Sequence, residues 1–486
     1  MQSSRIVIDG ASLTCALVAR AARDDVPVEL APEGVARARA AWETAREVAE
    51  RRPVYGRTTG VGANRVVDVE WEDADAHGLR LLRSHAAGAG PLTAAETTRA
   101  MLTVRLNQLA AGGSGVDPGV LPALADALNL GLRPPVPVYG AIGTGDLTAL
   151  ASTALCLLGE RAWLGGPDGG PASGPGFRLR SADALAFISS NAATLGEAAL
   201  GAADLRTLLS ASTVVAALSL LAVHGSEEPY APAVHDACPH PGQRDTAAAV
   251  RTLLAFDHPV PARIQDPYGY RAFPQVHGPA LEALRHAEDV VDREINAAAE
   301  NPLVDPAQRT VWHNGNFHTA YVGLALDGVR AALFQTMALS AARLGTLAEP
   351  AFTGLYPFQA ETEASSGIMI LEYVAHSALA DVRRLATPAA LGSAVLSRGV
   401  EEHAGFSTQS ARATTEAAAA YRIGLGCELY AAVRALRMQG RAPAGGPLRA
   451  AYDLADAVLD DRIADRPLDA DIATAADLLP PLSRLL

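Results

Sequence analysis

The chain of 486 residues contains no lysine, and aromatic residues make up only 5% of it. A Walker-type phosphate loop needs a lysine after its glycines, so this class of nucleotide site is excluded. The only cysteines are Cys15, Cys156, Cys238 and Cys427, which form no C-x-x-C pair. Their spacing does not predict a structural zinc site. We expect them to be small buried side chains in a reducing compartment.

The chain also lacks a basic segment and a long uninterrupted apolar run. Its formal net charge is -13, and an acidic chain without a basic block binds nucleic acid and anionic membranes poorly. No window of 18 residues is wholly apolar, so we expect no membrane span. The first residues lack a basic start followed by an apolar run, so no signal peptide is predicted. These absences favour a cytoplasmic protein without a metal.

Alanine and leucine are abundant, and both lose little side-chain freedom in a helix. Helical apolar spacing runs over 34–52 and resumes at Asp75, and two long segments, roughly 278–300 and 318–348, are apolar on more than one face. The pattern predicts a mostly α protein with a long central helix bundle, shared in an oligomer. We expect an N-terminal domain 1–180, a central bundle 181–440 and a peripheral helical region 441–486.

The stretch from Pro135 to Glu160, PVPVYGAIGTGDLTALASTALCLLGE, places a glycine-rich loop before an apolar helix. A dinucleotide loop would require a buried strand before its glycines, and the prolines of RPPVPVY make a poor central strand. A plain alternative is a tight turn with Asp146 at the helix N-terminus, where the helix dipole favours an acid. That alternative accounts for Asp146 but leaves the glycines unexplained.

The stretch resembles the histidine/phenylalanine ammonia-lyase family, and further motifs in one order between about residues 40 and 435 do so too. They are YGRTTGVG, RSHAAGAGPL, RLNQLAAGGSGV, PHPGQ, RIQDPYGYRAFPQVHG, EINAAAENPLV, NGNFHTAYV, SSGIMI and EEHAGF. The resemblance implies an ammonia-lyase/fumarase-like helix bundle. It also implies a small amino acid as substrate and a homotetramer whose sites combine residues of several subunits, so that Tyr55, Tyr268 and Glu401 come together only across chains.

The resemblance also implies roles for individual residues. It places Tyr55, Thr144, Tyr268 and Glu401 at catalytic positions, and His85, Ser189, Asn191, Gln265, Arg271, Asn316 and Phe317 at substrate-binding positions. The planar guanidinium of Arg271 suits a substrate carboxylate. As a base, Tyr55 would need a lowered pKa, which cations or amide donors could supply. His85 could instead be a core histidine, and Glu401 a solvated helix charge.

The electrophile of that family is a methylidene-imidazolone (MIO) ring made from Ala-Ser-Gly, and here the family pattern is altered. The corresponding positions read Gly143-Thr144-Gly145 before Asp146, and the loop is one residue shorter than the family pattern. Ring closure requires a strained, tight loop, so the shortening makes an MIO group doubtful. Ser189 stands where the family has asparagine, and Val400 stands where it usually has glutamine.

Three interpretations remain open. The first is elimination or group movement at the α/β carbons of a histidine-like or aromatic amino acid without a standard MIO group. It would need a better leaving group or a more acidic proton. The second is an ordinary ammonia-lyase or aminomutase with a ring derived from Thr144. The third is a non-catalytic subunit that binds amino acids. We favour the first, because Tyr55 and Arg271 remain while the electrophile side has changed.

Overall fold

The computed structural model describes residues 5–24, 26–69, 74–165 and 169–486, and most of these are helical, as predicted. The α-helices are Cys15–Arg23, Pro32–Ala49, Ala74–His85, Ala95–Ala111, Val120–Asn129, Leu147–Leu157, Ala184–Ile188, Ala192–Ala222, Pro232–Ala237, Pro241–Leu254, Tyr268–Arg271, Phe273–Ile295, Ala320–Ala348, Pro350–Thr353, Met369–Leu385, Ser407–Met438, Gly446–Asp456 and Asp469–Ser483.

The strands are short and pair two by two. Ile6–Ile8 lies parallel to Val28–Leu30, and the antiparallel pairs are Ala89–Leu92 with Pro137–Tyr139, Trp163–Leu164 with Pro171–Ala172, and Leu303–Asp305 with Thr310–Trp312. The proline-rich segment before the glycine loop is therefore a strand, but one paired on a single side. Proline is tolerated there because it need not donate to a second neighbour.

Several predicted helices differ in their limits. The helical pattern that resumes at Asp75 is divided into Ala74–His85 and Ala95–Ala111, because Gly88, Gly90 and Pro91 favour the intervening strand over a helix. The polar segment 237–245, whose sequence predicts a loop, contains the start of the helix Pro241–Leu254, whose first residue is a proline. The segment 165–177 is rich in glycine and proline, which predicts a loop, and its residues 166–168 lie outside the described part of the chain.

The described residues divide into two compact units. The first comprises Met1–Ala203, Ala287–Leu326 and Pro388–Arg412, and the second comprises Asp204–His286, Asp327–Thr387 and Ala413–Leu486. The expected domains 1–180, 181–440 and 441–486 are continuous stretches of the chain, whereas each unit combines three separate stretches. The domain division stays a prediction.

The first unit is organised around the helix Ala95–Ala111, which is buried along most of its length. Arg105 is fully buried, and its Nη1 donates to Glu300 Oε1 at 2.8 Å. The same guanidinium donates to the backbone carbonyl oxygens of Phe187 at 3.0 Å and Ala186 at 2.7 Å. Removing one partner of such a buried pair costs about 3–5 kcal/mol. Arg105 therefore fixes the backbone just before Ser189 and just before Asn301.

The second unit has a buried ion pair of its own. Arg343 Nε donates to Glu428 Oε1 at 2.6 Å, and both side chains are fully buried. Ser219 Oγ donates to Glu428 Oε1 at 2.7 Å, and Ser340 Oγ donates to Oε2 at 2.5 Å. These hydroxyls satisfy lone pairs that the arginine leaves open, as a buried carboxylate requires. The pair ties together residues from three different helices of this unit.

Two segments, Ala184–Ala222 and Ala320–Ala348, are long and apolar enough to cross a membrane by composition alone. Of their most apolar windows, 83% and 56% of the residues are buried inside the protein. Such burial is typical of core helices. Three of the cysteines are buried as expected, but Cys238 is exposed, because it lies between the helices Pro232–Ala237 and Pro241–Leu254 rather than within one.

Candidate active site

A cavity of about 780 Å³ lies in the first unit, and its walls come from six separated parts of the chain. Of the residues predicted from the sequence, it is lined by Tyr55, His85, Thr144, Gly145, Ser189, Phe317 and Glu401. The fold thus brings together a tyrosine, a histidine, a carboxylate and the glycine loop. This is enough polar chemistry to orient a small ligand in an otherwise apolar pocket.

Tyr55 lies on the loop that follows the helix Pro32–Ala49 and is held at two points. Its phenol oxygen accepts the backbone N–H of Gly62 at 2.8 Å, and its own backbone N–H donates to His313 Nε2 at 3.2 Å. Gly62 has a φ of +56°, and a Cβ there would lie 2.7 Å from Ser397 Oγ. Glycine is therefore required at this turn.

Burial raises the pKa of Tyr55 above its ordinary value, and the charge of Glu401 adds to the rise. The Gly62 amide and the Arg65 guanidinium act in the opposite direction. The expected amide donor and cation are both present, but they do not prevail over burial. These two groups therefore do not supply the lowered pKa that a base would need, because the phenol loses more hydration than they return.

The carbonyl groups of the loop 140–146 point to donors outside the loop. The Gly143 oxygen accepts from Thr319 Oγ1 at 3.0 Å and from the Thr319 backbone N–H at 3.3 Å. The Ile142 oxygen accepts from the Phe406 backbone N–H at 2.8 Å, and the Ala141 oxygen accepts from Gln409 Nε2 at 2.9 Å. Three successive carbonyls are therefore fixed.

The N–H groups at the end of the loop are fixed as well. The Gly145 N–H donates to Asn191 Oδ1 at 2.9 Å, and the Asp146 N–H donates to the Ser190 oxygen at 2.7 Å. Asn191 is buried and is not among the described residues that line the cavity. Its side chain holds the loop, whereas the neighbouring Ser189 lines the cavity.

Asp146 does not cap the helix that it precedes. Its carboxylate accepts the backbone N–H of Thr194 at 2.7 Å and the hydroxyl of Thr194 at 2.9 Å. It thus satisfies the first turn of a different helix, Ala192–Ala222. Asp146 stands at the N-terminus of Leu147–Leu157, as the plain alternative expected, but its side chain makes no capping hydrogen bond to that helix. The carboxyl is fully buried, and burial raises its pKa to about 6 although the Thr194 donors lower it.

Thr144 projects from the fixed loop and lines the cavity. Its neighbours Gly143 and Gly145 have φ values of +87° and +113°, a region that side chains rarely adopt. A Cβ on Gly143 would lie 2.5 Å from Ser407 Oγ and 2.8 Å from the Ser407 nitrogen. The alanine of the family triad would therefore clash at this position.

His85 ends the helix Ala74–His85, and its Nδ1 donates to the Leu81 oxygen at 2.9 Å. In the neutral ring Nε2 then has an open lone pair and can accept a hydrogen bond. Glu401 is exposed, forms a short bridge with Leu396, and supplies a negative charge to the cavity. Arg65 supplies a positive charge on the loop that carries Tyr55.

Gly143, Asp146 and Asn191 form or hold the loop without being among the described residues that line the cavity, and four further predicted site residues are not among them either. Gln265, Tyr268 and Arg271 belong to the second unit, and Asn316 is exposed beside the cavity residue Phe317. Arg271 Nε donates to the backbone carbonyl oxygen of Asp266 at 3.0 Å. The Arg271 guanidinium lies 4.4 Å from the centre of the Tyr268 ring. The predicted carboxylate clamp is thus not part of the cavity of the first unit.

Sequence reasoning missed Arg65 and His313, which both line the cavity. Arg65 lies three residues after the quoted YGRTTGVG motif, and His313 directly precedes the quoted NGNFHTAYV motif. Neither residue belongs to a motif of the resembled family, so only their position beside Tyr55 identifies them.

A mostly helical protein with a tyrosine-bearing loop and a glycine-rich loop on one cavity has the architecture of a carbon–nitrogen lyase. The sequence model of the aromatic amino acid lyase family matches residues 13–457. The chain therefore belongs to that family.

Known relatives agree with this assignment. A histidine ammonia-lyase of Stigmatella aurantiaca is 34% identical over 99% of this chain and 97% of its own length. The solved histidine ammonia-lyase of Trypanosoma cruzi is 26% identical, with a TM-score of 0.91 over 98% of this chain and 93% of that one. Tyrosine aminomutase from Streptomyces globisporus is 29% identical, with a TM-score of 0.91 over 99% and 97%.

Proposed function

We propose that the protein catalyses an elimination at the α/β carbons of a histidine-like or aromatic amino acid, with Tyr55 as the base and without a standard MIO group. The observation that carries the proposal is the loop 140–146. The two groups that would close the ring, the Gly143 carbonyl and the Gly145 N–H, are each hydrogen bonded to groups outside the loop.

The residues present fit the MIO ring poorly. The methyl group of the family's alanine has no room at Gly143, where Ser407 is already within 2.5 Å of a Cβ position. Ring closure would also require the hydrogen bond from the Gly145 N–H to Asn191 Oδ1 to break. A ring built on Thr144 would carry an extra methyl group into the cavity. No step of the reaction is therefore assigned to this group.

In the elimination, the Tyr55 phenolate takes the β-proton, the C–H electron pair forms the Cα–Cβ double bond, and the substituent on Cα leaves with its bonding pair. The raised pKa of Tyr55 makes the phenolate strong as a base but scarce near neutral pH. An unactivated amine leaves slowly, so the substrate should carry a better leaving group or a more acidic β-proton.

The side chains on the cavity walls indicate how a substrate would be bound. His85 and Glu401 lie where they can contact a polar ring, and Phe317 and Leu147 supply apolar surface. The cation for the carboxylate, Arg271, would come with Tyr268 and Gln265 from a second copy of the chain. The support for this is their place outside the cavity of the first unit together with the shared-site tetramer that the family resemblance implies.

A second candidate is an ordinary ammonia-lyase or aminomutase with a Thr144-derived ring. It is favoured by the full-length similarity to histidine ammonia-lyase. A non-catalytic amino-acid-binding protein is the third candidate, and it predicts binding of amino acids without turnover.

The intact mass of the purified protein separates the first two candidates. The full unmodified mass supports the proposal, and a deficit of two water molecules in the fragment with Gly143-Thr144-Gly145 would overturn it. Turnover is then measured with histidine, tyrosine and their α-N-trimethyl derivatives, whose amine needs no added proton to leave. Product from the derivatives alone is the expected result. Binding without any turnover would favour the third candidate.

A further inference from the structure

Tyr55 and His313 each lie next to a residue of the same small apolar cluster in the chain, or two residues from one. Val54, which precedes Tyr55, and Val311, which lies two residues before His313, are both buried in it with residues of the helix Pro32–Ala49. Arg52 Nη2 also donates to Thr310 Oγ1 at 3.2 Å, which ties the start of the tyrosine loop to the strand that leads to His313. The two side chains are therefore carried by a common packed base.

The hydrogen bond between them fixes the protonation of the imidazole. Because the Tyr55 backbone N–H is the donor, His313 Nε2 must carry a lone pair, and the ring proton is on Nδ1. Burial and the nearby Arg52 lower the pKa of His313, so the neutral ring is the ordinary state. The other charged or titratable groups around this cavity are Arg65, His85, Tyr55 and Glu401.

This contact is one of the two that hold the tyrosine. His313 anchors its backbone, and the Gly62 N–H anchors its phenol oxygen seven residues further along the same loop. Loss of the backbone anchor would free the loop at its first residue. The phenol would then sample positions away from the β-carbon of a bound substrate, and a misplacement of about 1 Å can reduce a rate roughly 100-fold.

We propose that His313 is a positioning residue for Tyr55: its unprotonated Nε2 accepts the Tyr55 N–H and holds the base in place, and protonation of this nitrogen releases the loop. The inference rests on the proposed role of Tyr55 for its catalytic meaning. The hydrogen bond itself can be tested without any substrate.

The test compares His313→Gln, which keeps an acceptor oxygen without a titratable group, with His313→Leu, which removes the acceptor. His376→Leu, at an exposed histidine of the second unit, is the matched control. Hydrogen exchange of the Tyr55 amide is followed by mass spectrometry from acidic to neutral pH. In His313→Leu we expect exchange to be about 2–10 times faster, the value of one ordinary hydrogen bond. In His313→Gln and the control it should be close to wild type.

The pH dependence provides the second readout. Corrected for intrinsic exchange, the wild-type amide should lose protection as the pH falls through the lowered pKa of His313, whereas His313→Gln should show no such step. If His313→Leu does not fold, this comparison alone decides the proposal. Unchanged protection in His313→Leu, or the same acid step in His313→Gln, would overturn it.

Turnover completes the design. With a substrate identified by the assays above, His313→Leu should lower kcat by about tenfold or more with little change in KM, and His313→Gln should restore most of it. Absence of turnover in the wild type would contradict the proposed function. The exchange experiment would still decide whether His313 holds Tyr55.

Discussion

The side-chain oxygen of Asn191 accepts the Gly145 N–H at 2.9 Å, and so a residue expected to touch substrate holds the glycine loop. Two residues of this short segment have different tasks, because Ser189 lines the cavity while Asn191, two residues further on, lies behind it. The loop is thereby fixed from behind, and Thr144 is its polar side chain among the described residues that line the cavity.

Asn191→Ala should destabilise the protein, because it leaves the partly buried Gly145 N–H without its acceptor. The expected loss is about 1–3 kcal/mol in the free energy of unfolding, measured by denaturant titration. Gln308→Ala, an exposed amide in the same unit, should change it little. Equal stability of the two variants would contradict the assigned role of Asn191.

Tyr55→Phe should remove the base and keep the fold. We expect kcat to fall about 100- to 10,000-fold, the usual contribution of general base catalysis, with a small effect on KM. Steady-state kinetics with the substrate found above, together with unchanged circular dichroism, checks this. A variant that retains most of the wild-type kcat would exclude Tyr55 as the base.

The pH profile should report the environment of Tyr55. Because the phenolate is the active form and burial raises the pKa of Tyr55, kcat/KM should increase with pH into the alkaline range. Arg65→Gln removes a charge that lowers this pKa and should move the rise of kcat/KM to higher pH. Glu401→Gln removes a charge that raises the pKa and should move the rise to lower pH. Shifts in the same direction for both variants would contradict the assignment.

Asp146 should make stability depend on pH in a defined window. Its folded pKa of about 6 lies above the ordinary value of 3.8, so the folded state binds the proton more tightly than the unfolded state. The contribution of Asp146 is fully present below about pH 4 and is lost as the pH rises to about 6, a change of up to roughly 3 kcal/mol. Asp146→Asn has no such ionisation. Unfolding of both proteins across this window should show the difference, and parallel curves would count against it.

Mixed oligomers should reveal a shared site. Tyr55→Phe and Arg271→Lys should each be nearly inactive alone, because each lacks one essential group. If Arg271 comes from a second copy, co-expression of the two variants should restore part of the activity, since some sites then combine intact groups from different chains. Oligomers that contain only one of the two variants are the control. No recovery in verified mixed oligomers would place both groups in one chain.

The amino-acid sequence by itself determined the mostly helical fold, the family and the altered triad. Abundant alanine and leucine favour helices whatever their neighbours, and motifs in a fixed order are legible without coordinates. Tyr55, His85, Ser189 and Glu401 line one cavity of a single chain, whereas the resemblance implied that Tyr55 and Glu401 meet only across chains. Their chemical roles stay predictions.

Only the tertiary structure decided which way the polar groups face. Asn191 meets Gly145 across 46 residues and Asp146 meets Thr194 across 48, and no local pattern encodes such a pairing. Likewise, the net rise in the Tyr55 pKa depends on how much water the fold removes, against donors that the sequence only makes available. Hydrogen bonds and desolvation act through space, so these features arise only when distant segments pack together.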